Sequence, residues 1–420
     1  MDIALDAAQN RPITLQRTVV ERYTHLFMYL LLGFTLLIPL NNSFELAAMM
    51  QRQLQRSSEV LTPLYIKTIK DLFLVLSLGL ALLAAIQRPS CARIWLRRPF
   101  WLANLFLVLV VIESIHSISY LPPDVILMGV RGYWTIFFLY IGALFCEIDE
   151  FKLYKALRFV FFLHIGMQAI QLVTDVGFSV YGEHRSPGVF VNPSTAAAFA
   201  LVLYHFGRKF GSRFVCIAAV LSLMASNSSA GLLAFLFYYM IRAPKRFRHK
   251  LFMYPIYTLL LLIAGAFLVV YVGTITGRHE GFYISLFSRV DILKTALSNW
   301  NLYLFGGGMG IATSQALTSG FADAIIPDNT LVETLYNMGM FSSLVLLVFI
   351  LSSLRYFEDR LLPLVFISFS MTNVMFEMNP FIQIVLILMG SRIGRNLQLA
   401  SNVSQAALSE RVELGAMPSS

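Results

Sequence analysis

Long apolar runs separated by short polar and often basic connections dominate the chain. A membrane-crossing helix needs about 20 mostly apolar residues, and about twelve runs qualify. They are 24–41, 68–87, 100–119, 125–146, 154–174, 193–207, 213–227, 229–243, 251–273, 329–353, 361–376 and 378–393. This pattern predicts an all-α polytopic integral membrane protein. Residues 24–394 form a single transmembrane domain, between a cytoplasmic amino terminus (1–23) and a polar cytoplasmic tail (395–420). The first run ends Ile38-Pro39-Leu40-Asn41 without a small-residue cleavage site, so it reads as a span and not as a signal peptide. Three intervals, 42–67, 175–192 and 274–328, are long loops. The last is the centre of the reading, because a loop of that length between spans is uncommon unless it works.

Composition agrees with the pattern. The chain is 57% apolar and 13% charged, with a mean hydropathy of +0.70. A soluble domain carries about 25% charge. The net charge of +9 is spread as short clusters between apolar runs, which is a topology signal and not a nucleic-acid stripe. Most of the Lys and Arg fall on one side if both termini are cytoplasmic. They lie at Arg88–Arg98, Lys152–Arg158, Arg208–Arg213, Arg242–Lys250, Arg355–Arg360 and Arg392–Arg395, besides the amino-terminal group. The three long loops then face outward. Cys91, Cys146 and Cys216 fall at cytoplasmic ends and have no metal-ligand or disulfide spacing.

Several polar residues are costly to keep in such a chain. Arg131 lies in the fourth run, about 9 Å below the outer surface at the helical rise. It is an anion-binding group on a cavity wall, or else a side chain that snorkels to the interface or one half of an internal ion pair. His164, Gln168 and Gln171 share one face of the fifth run and read as polar glue between helices. Glu113 and His116, near the outer end of the third run, read either as a general base with its partner or as interfacial polar groups. The segment Tyr181–Pro193 gathers Glu183, His184 and Arg185 beside a Pro/Gly turn. Asn192 or Ser194 is placed to cap the following helix. The turn Ser226-Asn227-Ser228-Ser229-Ala230-Gly231 is a tight connection or a point where the backbone closely approaches a ligand. Asn329, Glu333 and Asn337 form a polar stripe. Thr330 and Glu333 there have capping-box spacing, and the rival role for Glu333 is a desolvated carboxylate suited to proton transfer. Glu147-Ile148-Asp149-Glu150 reads as a solvated cytoplasmic run. Gly306, Gly307, Gly308 and Gly310 read as a turn that returns the long loop to the membrane, not as a nucleotide cradle. No Walker loop or zinc pattern occurs.

Taken together, residues 181–345 resemble the O-antigen ligase and polymerase superfamily, integral-membrane glycosyltransferases of the GT-C type. Four pieces carry the resemblance: Arg185–Pro193; Ser226–Gly231; Arg289 with Asp291 leading to Gly306–Gly310; and Asp328-Asn329 followed by Gly339. Ligases of this superfamily carry a His-Asn or similar pair where this chain has Asp328-Asn329. That departure favours the polymerase branch.

The resemblance implies a metal-independent enzyme without a cofactor, in the bacterial inner membrane, whose long loop is periplasmic. Its implied substrates are undecaprenyl-pyrophosphate-linked oligosaccharide repeat units. A flippase and a chain-length regulator are implied partners beside membrane lipid. On this reading Arg131, Arg185, Arg278, Arg289 and Asn329 bind substrate, and the arginines stabilise charge on the departing pyrophosphate. Glu333, Asp328, His184 and Glu183 are the candidates for activating the acceptor. The alternatives are a ligase that joins finished glycan to lipid A core and, from another class, a flippase for the lipid-linked oligosaccharide.

Overall fold

The computed structural model describes residues 13–53, 61–63, 66, 68–87, 93–180, 183–242, 294, 298, 304–313, 316, 329–357, 359–378 and 380–415. In chain order the helices are α1 (Ile13–Leu37), α2 (Ser43–Met50), α3 (Ile69–Gln87), α4 (Trp101–Ser117), α5 (Pro123–Tyr133) and α6 (Phe137–Leu144). They continue as α7 (Glu150–Val173), α8 (Pro193–Lys209), α9 (Arg213–Ser226), α10 (Ser229–Arg242), α11 (Thr330–Ser352), α12 (Leu361–Thr372) and α13 (Phe381–Gly415). Between α7 and α8 a two-stranded antiparallel hairpin, β1 (Phe178–Val180) and β2 (Glu183–Arg185), pairs Phe178 with Arg185 and Val180 with Glu183. Sequence analysis expects only loop there.

By length and composition alone, five helical stretches among the described residues could cross a membrane: Glu21–Met50, Arg98–Ser117, Pro123–Leu144, Glu150–Val173 and Thr330–Arg355, the last interrupted at Gly339. Shorter apolar helices cover Asp71–Gln87, Arg213–Ser226, Ala230–Tyr239 and Leu361–Thr372. This is the architecture of a multi-pass membrane protein. The expected span 251–273 lies outside the described residues.

Burial sorts the helices into a centre and a rim. Residues 138–144 of α6, 195–207 of α8 and 381–391 of α13 are buried on every side, as suits helices surrounded by other helices. Around them α3, α4, α7 and α9 keep one apolar face exposed, with Val75, Val108, Ile112, Phe159, Ile217 and Leu221 open. An outer belt of that kind marks a surface meant for lipid. A ladder of rings ties α1 and α3 to the centre: Phe34 stacks on Phe73 at 4.3 Å, and Phe73 on Phe138 at 5.2 Å.

Successive helices alternate between two ends of the bundle, and long-range polar contacts join residues of the same end. At one end Arg131 meets Asp71, Asn42 Nδ2 donates to the Phe190 carbonyl (3.0 Å) and Thr330 Oγ1 donates to the Asn373 carbonyl (2.8 Å). At the other end Gln87 donates to Tyr23 (2.8 Å), while Lys209 and Arg395 both reach Glu150. Glu150 is therefore not part of a solvated run. It is buried where α7, α8 and α13 converge, and the two cations there meet its charge. Its neighbour Asp149 caps α7 by accepting from the Phe151 and Lys152 amides. Those amides, the Lys152 one first, hold the Asp149 carboxyl below its usual range.

Candidate functional site

The end of the bundle that carries the hairpin is built from backbone irregularities. The first is in α11. Gly339 has φ 75° and ψ 178°, a conformation outside any helix and open in practice to glycine. The chain folds back there. Ser343 Oγ donates to the Leu331 carbonyl at 2.9 Å, although those residues would lie about 18 Å apart in a straight helix. The expected span 329–353 is thus two half-helices, Thr330–Met338 and Met340–Ser352, and neither alone reaches the roughly 30 Å of a bilayer core.

A break of this kind frees backbone groups that must be met inside the protein. The glycine turn meets them. Gly307 N–H donates to the Tyr336 carbonyl (2.6 Å), and Ala312 N–H donates to Asn337 Oδ1 (3.0 Å). Met309 N–H donates to Ser117 Oγ at the end of α4 (2.8 Å). On the α5 side, Gly129 and Gly310 bring their backbones into contact. A Cβ on Gly129 would fall 2.4 Å from the Gly310 nitrogen, and one on Gly310 2.1 Å from the Val125 carbonyl. The expectation of a turn returning the loop to the membrane is refined: the turn is a wedge locked into the notch of a broken helix.

Beneath this wedge lies a buried polar group. Tyr133 Oη donates to Thr334 Oγ1 (3.3 Å) and accepts from Asn337 Nδ2 (3.2 Å). Glu333 is in the same half-helix with 6% of its surface exposed. The capping-box reading of Thr330 and Glu333 does not hold. The cap sits one residue earlier, where Asn329 Oδ1 accepts from the Leu331 (2.8 Å) and Val332 (3.2 Å) amides. Asn329 Nδ2 is engaged as well, donating to the Met371 carbonyl at 2.7 Å. The polar atoms of Asn329 thus hold α11 to α12.

Arg131 is met on the neighbouring helix. Its Nε and Nη2 bind the two carboxylate oxygens of Asp71 at 3.1 and 2.5 Å, a forked pair with 21% and 28% of the side chains exposed. Of the readings of Arg131, the internal ion pair is the one present. Asp71 carries no conspicuous motif, and sequence reasoning missed it; its signal is an acid at the start of an otherwise apolar run.

The hairpin segment is held from below by the α7 stripe. Gln168 Nε2 donates to the Ser186 carbonyl (2.8 Å), and Gln171 exchanges bonds with Gly188, accepting from its N–H at 2.8 Å. His164 Nε2 lies 3.1 Å from Ser222 Oγ. The stripe is glue, as its spacing indicates. Ser186 N–H also donates to the Ala225 carbonyl (3.1 Å), beside the turn where Asn227 ends α9 in the left-handed conformation. Arg185 ends β2, half-buried, and Glu183 and His184 precede it on the same strand. Asn192 caps α8 through the Ser194 and Thr195 amides, directly before Pro193.

The structure thus collects Arg131, Glu183, His184, Arg185, Asn329 and Glu333 at one end of the bundle, on α5, β2 and the start of α11. Arg278, Arg289 and Asp328 lie outside the described residues. Among the described residues no three His, Cys, Asp or Glu side chains come together as a metal site. No protein-family model matches the chain, and no curated protein sequence matches it.

Proposed function

We propose that the protein is a multi-pass membrane glycosyltransferase that polymerises undecaprenyl-pyrophosphate-linked oligosaccharide units at the outer face of the bacterial inner membrane. The observation that carries this reading is the broken helix α11, closed over by the glycine turn at the same end as the Arg185 hairpin. Non-helical backbone at membrane depth is tolerated where it is buried in protein or lines a cavity. The positive-inside pattern assigns this end to the outside. A lipid-linked sugar is already activated, so the protein's task is to hold the diphosphate and guide an acceptor hydroxyl. Arg185, with Arg278 and Arg289 of the long loop, supplies fixed positive charge for the departing diphosphate. Arg131, already forked onto Asp71, holds α5 against α3. Glu333, Glu183 and His184 at that end, together with Asp328, supply the acid–base groups.

A second reading is favoured by the same break. Discontinuous helices form the substrate sites of many transporters, so a flippase for the lipid-linked oligosaccharide shares this feature. One experiment separates the two. The gene is deleted and the strain complemented with the wild type, Arg185→Ala or Arg289→Ala, and the surface glycan is sized by electrophoresis. A polymerase predicts single repeat units in the deletion strain and in both variants, with the variant proteins still in the membrane. Repeat units trapped on the cytoplasmic side indicate a flippase, and accumulated lipid-linked polymer indicates a ligase. Full-length glycan from both variants overturns the arginine assignment.

A further inference from the structure

One group at this end of the bundle has so far been left between two readings. Glu113 and His116 stand one turn apart on the last stretch of α4, with His116 Nδ1 3.3 Å from Glu113 Oε1. The Tyr120 hydroxyl lies 3.5 Å from both of those atoms, and its ring meets the imidazole edge-on at 5.3 Å. The carboxylate is the inner member, 14% exposed, and the imidazole the outer one, 63% exposed. An Nδ1–H donated to the carboxylate fixes the tautomer and leaves Nε2 as a proton acceptor. Among the described residues nothing bonds to Nε2.

The surroundings give that acceptor a direction. Ile112, Ile115 and Ile118, on the same stretch of chain, are exposed, so the imidazole sits at the edge of the apolar belt, where a headgroup would lie. On its other side the pair is joined to the broken helix. Ser117, the next residue, receives the Met309 N–H, and Tyr120 lies against Gly308, whose neighbour Gly307 bonds to Tyr336. A histidine that is only interfacial needs neither a carboxylate on one nitrogen nor a tyrosine holding its ring. The elements packed on α4 add Asp124 on α5 and Glu333 on α11 as further acids at this end.

We propose that His116, oriented by Glu113 and Tyr120, is the general base that activates the acceptor hydroxyl at the membrane surface. The inference rests on the glycosyltransferase reading. In the step, the acceptor O–H gives its proton to His116 Nε2 while its oxygen bonds to the anomeric carbon of the lipid-diphosphate-linked donor. The bond from that carbon to the phosphate oxygen breaks, and its electron pair leaves with the diphosphate. His116 then returns the proton to water. Glu113 takes no proton from the acceptor and is a positioning residue.

The test uses membranes from a gene-deleted strain carrying the full chain, with the endogenous lipid-diphosphate oligosaccharides as substrate, across about pH 5.5–8.5. His116→Gln is expected to slow extension at least about a hundredfold, the lower range for a lost general base, with KM little changed. Glu113→Ala is expected to lower kcat with KM little changed, and Glu113→Gln to restore part of it, because Nδ1 loses and then regains an acceptor that fixes its tautomer. A readout independent of turnover is carbethoxylation of His116 by diethyl pyrocarbonate, followed by peptide mass spectrometry. The lipid-diphosphate oligosaccharides should protect His116 from the reagent. Wild-type extension rates in a folded His116→Gln protein overturn the proposal, as does labelling of His116 that the substrate leaves unchanged. Absence of extension by the wild type itself overturns the polymerase reading, and this inference with it.

Discussion

Replacing Gly339 by alanine tests the break in α11, because the sign of the effect differs between a broken and a continuous helix. In a continuous helix the change stabilises by about 0.5–1 kcal/mol, since glycine gives up more freedom on folding. At φ 75° and ψ 178° alanine is instead strained, by about 1–3 kcal/mol. Its Cβ would fall 2.1 Å from the Leu304 carbonyl oxygen, 2.6 Å from the Leu304 carbonyl carbon and 2.9 Å from the Phe305 nitrogen. All three atoms are backbone, so relief requires lifting the glycine turn. That would unmake the Gly307 to Tyr336 bond at a further cost of about 1–3 kcal/mol for buried groups left unmet. The expected loss is therefore about 2–6 kcal/mol. Gly33 is the matched control, for it lies within α1 and its added Cβ meets nothing within 4 Å. The assay is thermal unfolding of purified protein in lipid nanodiscs. Gly33→Ala should be neutral or slightly stabilising and Gly339→Ala clearly destabilising. A rise in stability for both would mean that α11 runs straight, and the wedge reading would fall.

Two further outcomes are expected. In a double-mutant cycle over Asp71→Asn and Arg131→Gln, unfolding in nanodiscs should give a coupling of about 1.5–3 kcal/mol, the range for hydrogen bonds to charged groups; independent losses would mean that the fork is not populated. At the opposite end Asp359 lies 3.5 Å from His205 Nδ1 and also accepts from Tyr238 and the Leu361 amide. Burial pushes its carboxyl up, but the His205 hydrogen bond and charge, the Leu361 N–H and Arg208 outweigh burial and hold it below its usual range. A depressed acid contributes stability above its unfolded pKa, about 3.9, and loses it as pH falls through the folded value. The wild-type unfolding midpoint should thus fall more steeply below about pH 4 than that of Asp359→Asn, and equal slopes would refute the assignment.

Some polar residues declared their roles in sequence and others did not. The spacing of His164, Gln168 and Gln171 was legible as glue because one helix face is a local property, fixed by the helical period. The Asn192-Pro193 cap is legible for the same reason. By contrast, nothing near Arg131 in sequence distinguishes a ligand-binding guanidinium from a paired one. Its partner Asp71 lies on another helix, and only packing brings the two together. Glu150 was misread on the same ground, since both of its cations come from distant helices. At Thr330 the local pattern suggested the wrong cap, and the side-chain geometry of Asn329 decided it. The Glu113–His116 pair was visible by its spacing, but the inward carboxylate and outward ring follow from the packing of α4.

From sequence alone come the membrane class, the helical periodicity and the uneven distribution of charge between the apolar runs, because each depends on composition and on near neighbours. Tertiary structure decided the fold-back at Gly339. An apolar run of 23 residues satisfies the length criterion whether it is straight or broken. What breaks it is a glycine turn from elsewhere in the chain, whose amides meet the carbonyl and side-chain oxygens at the break.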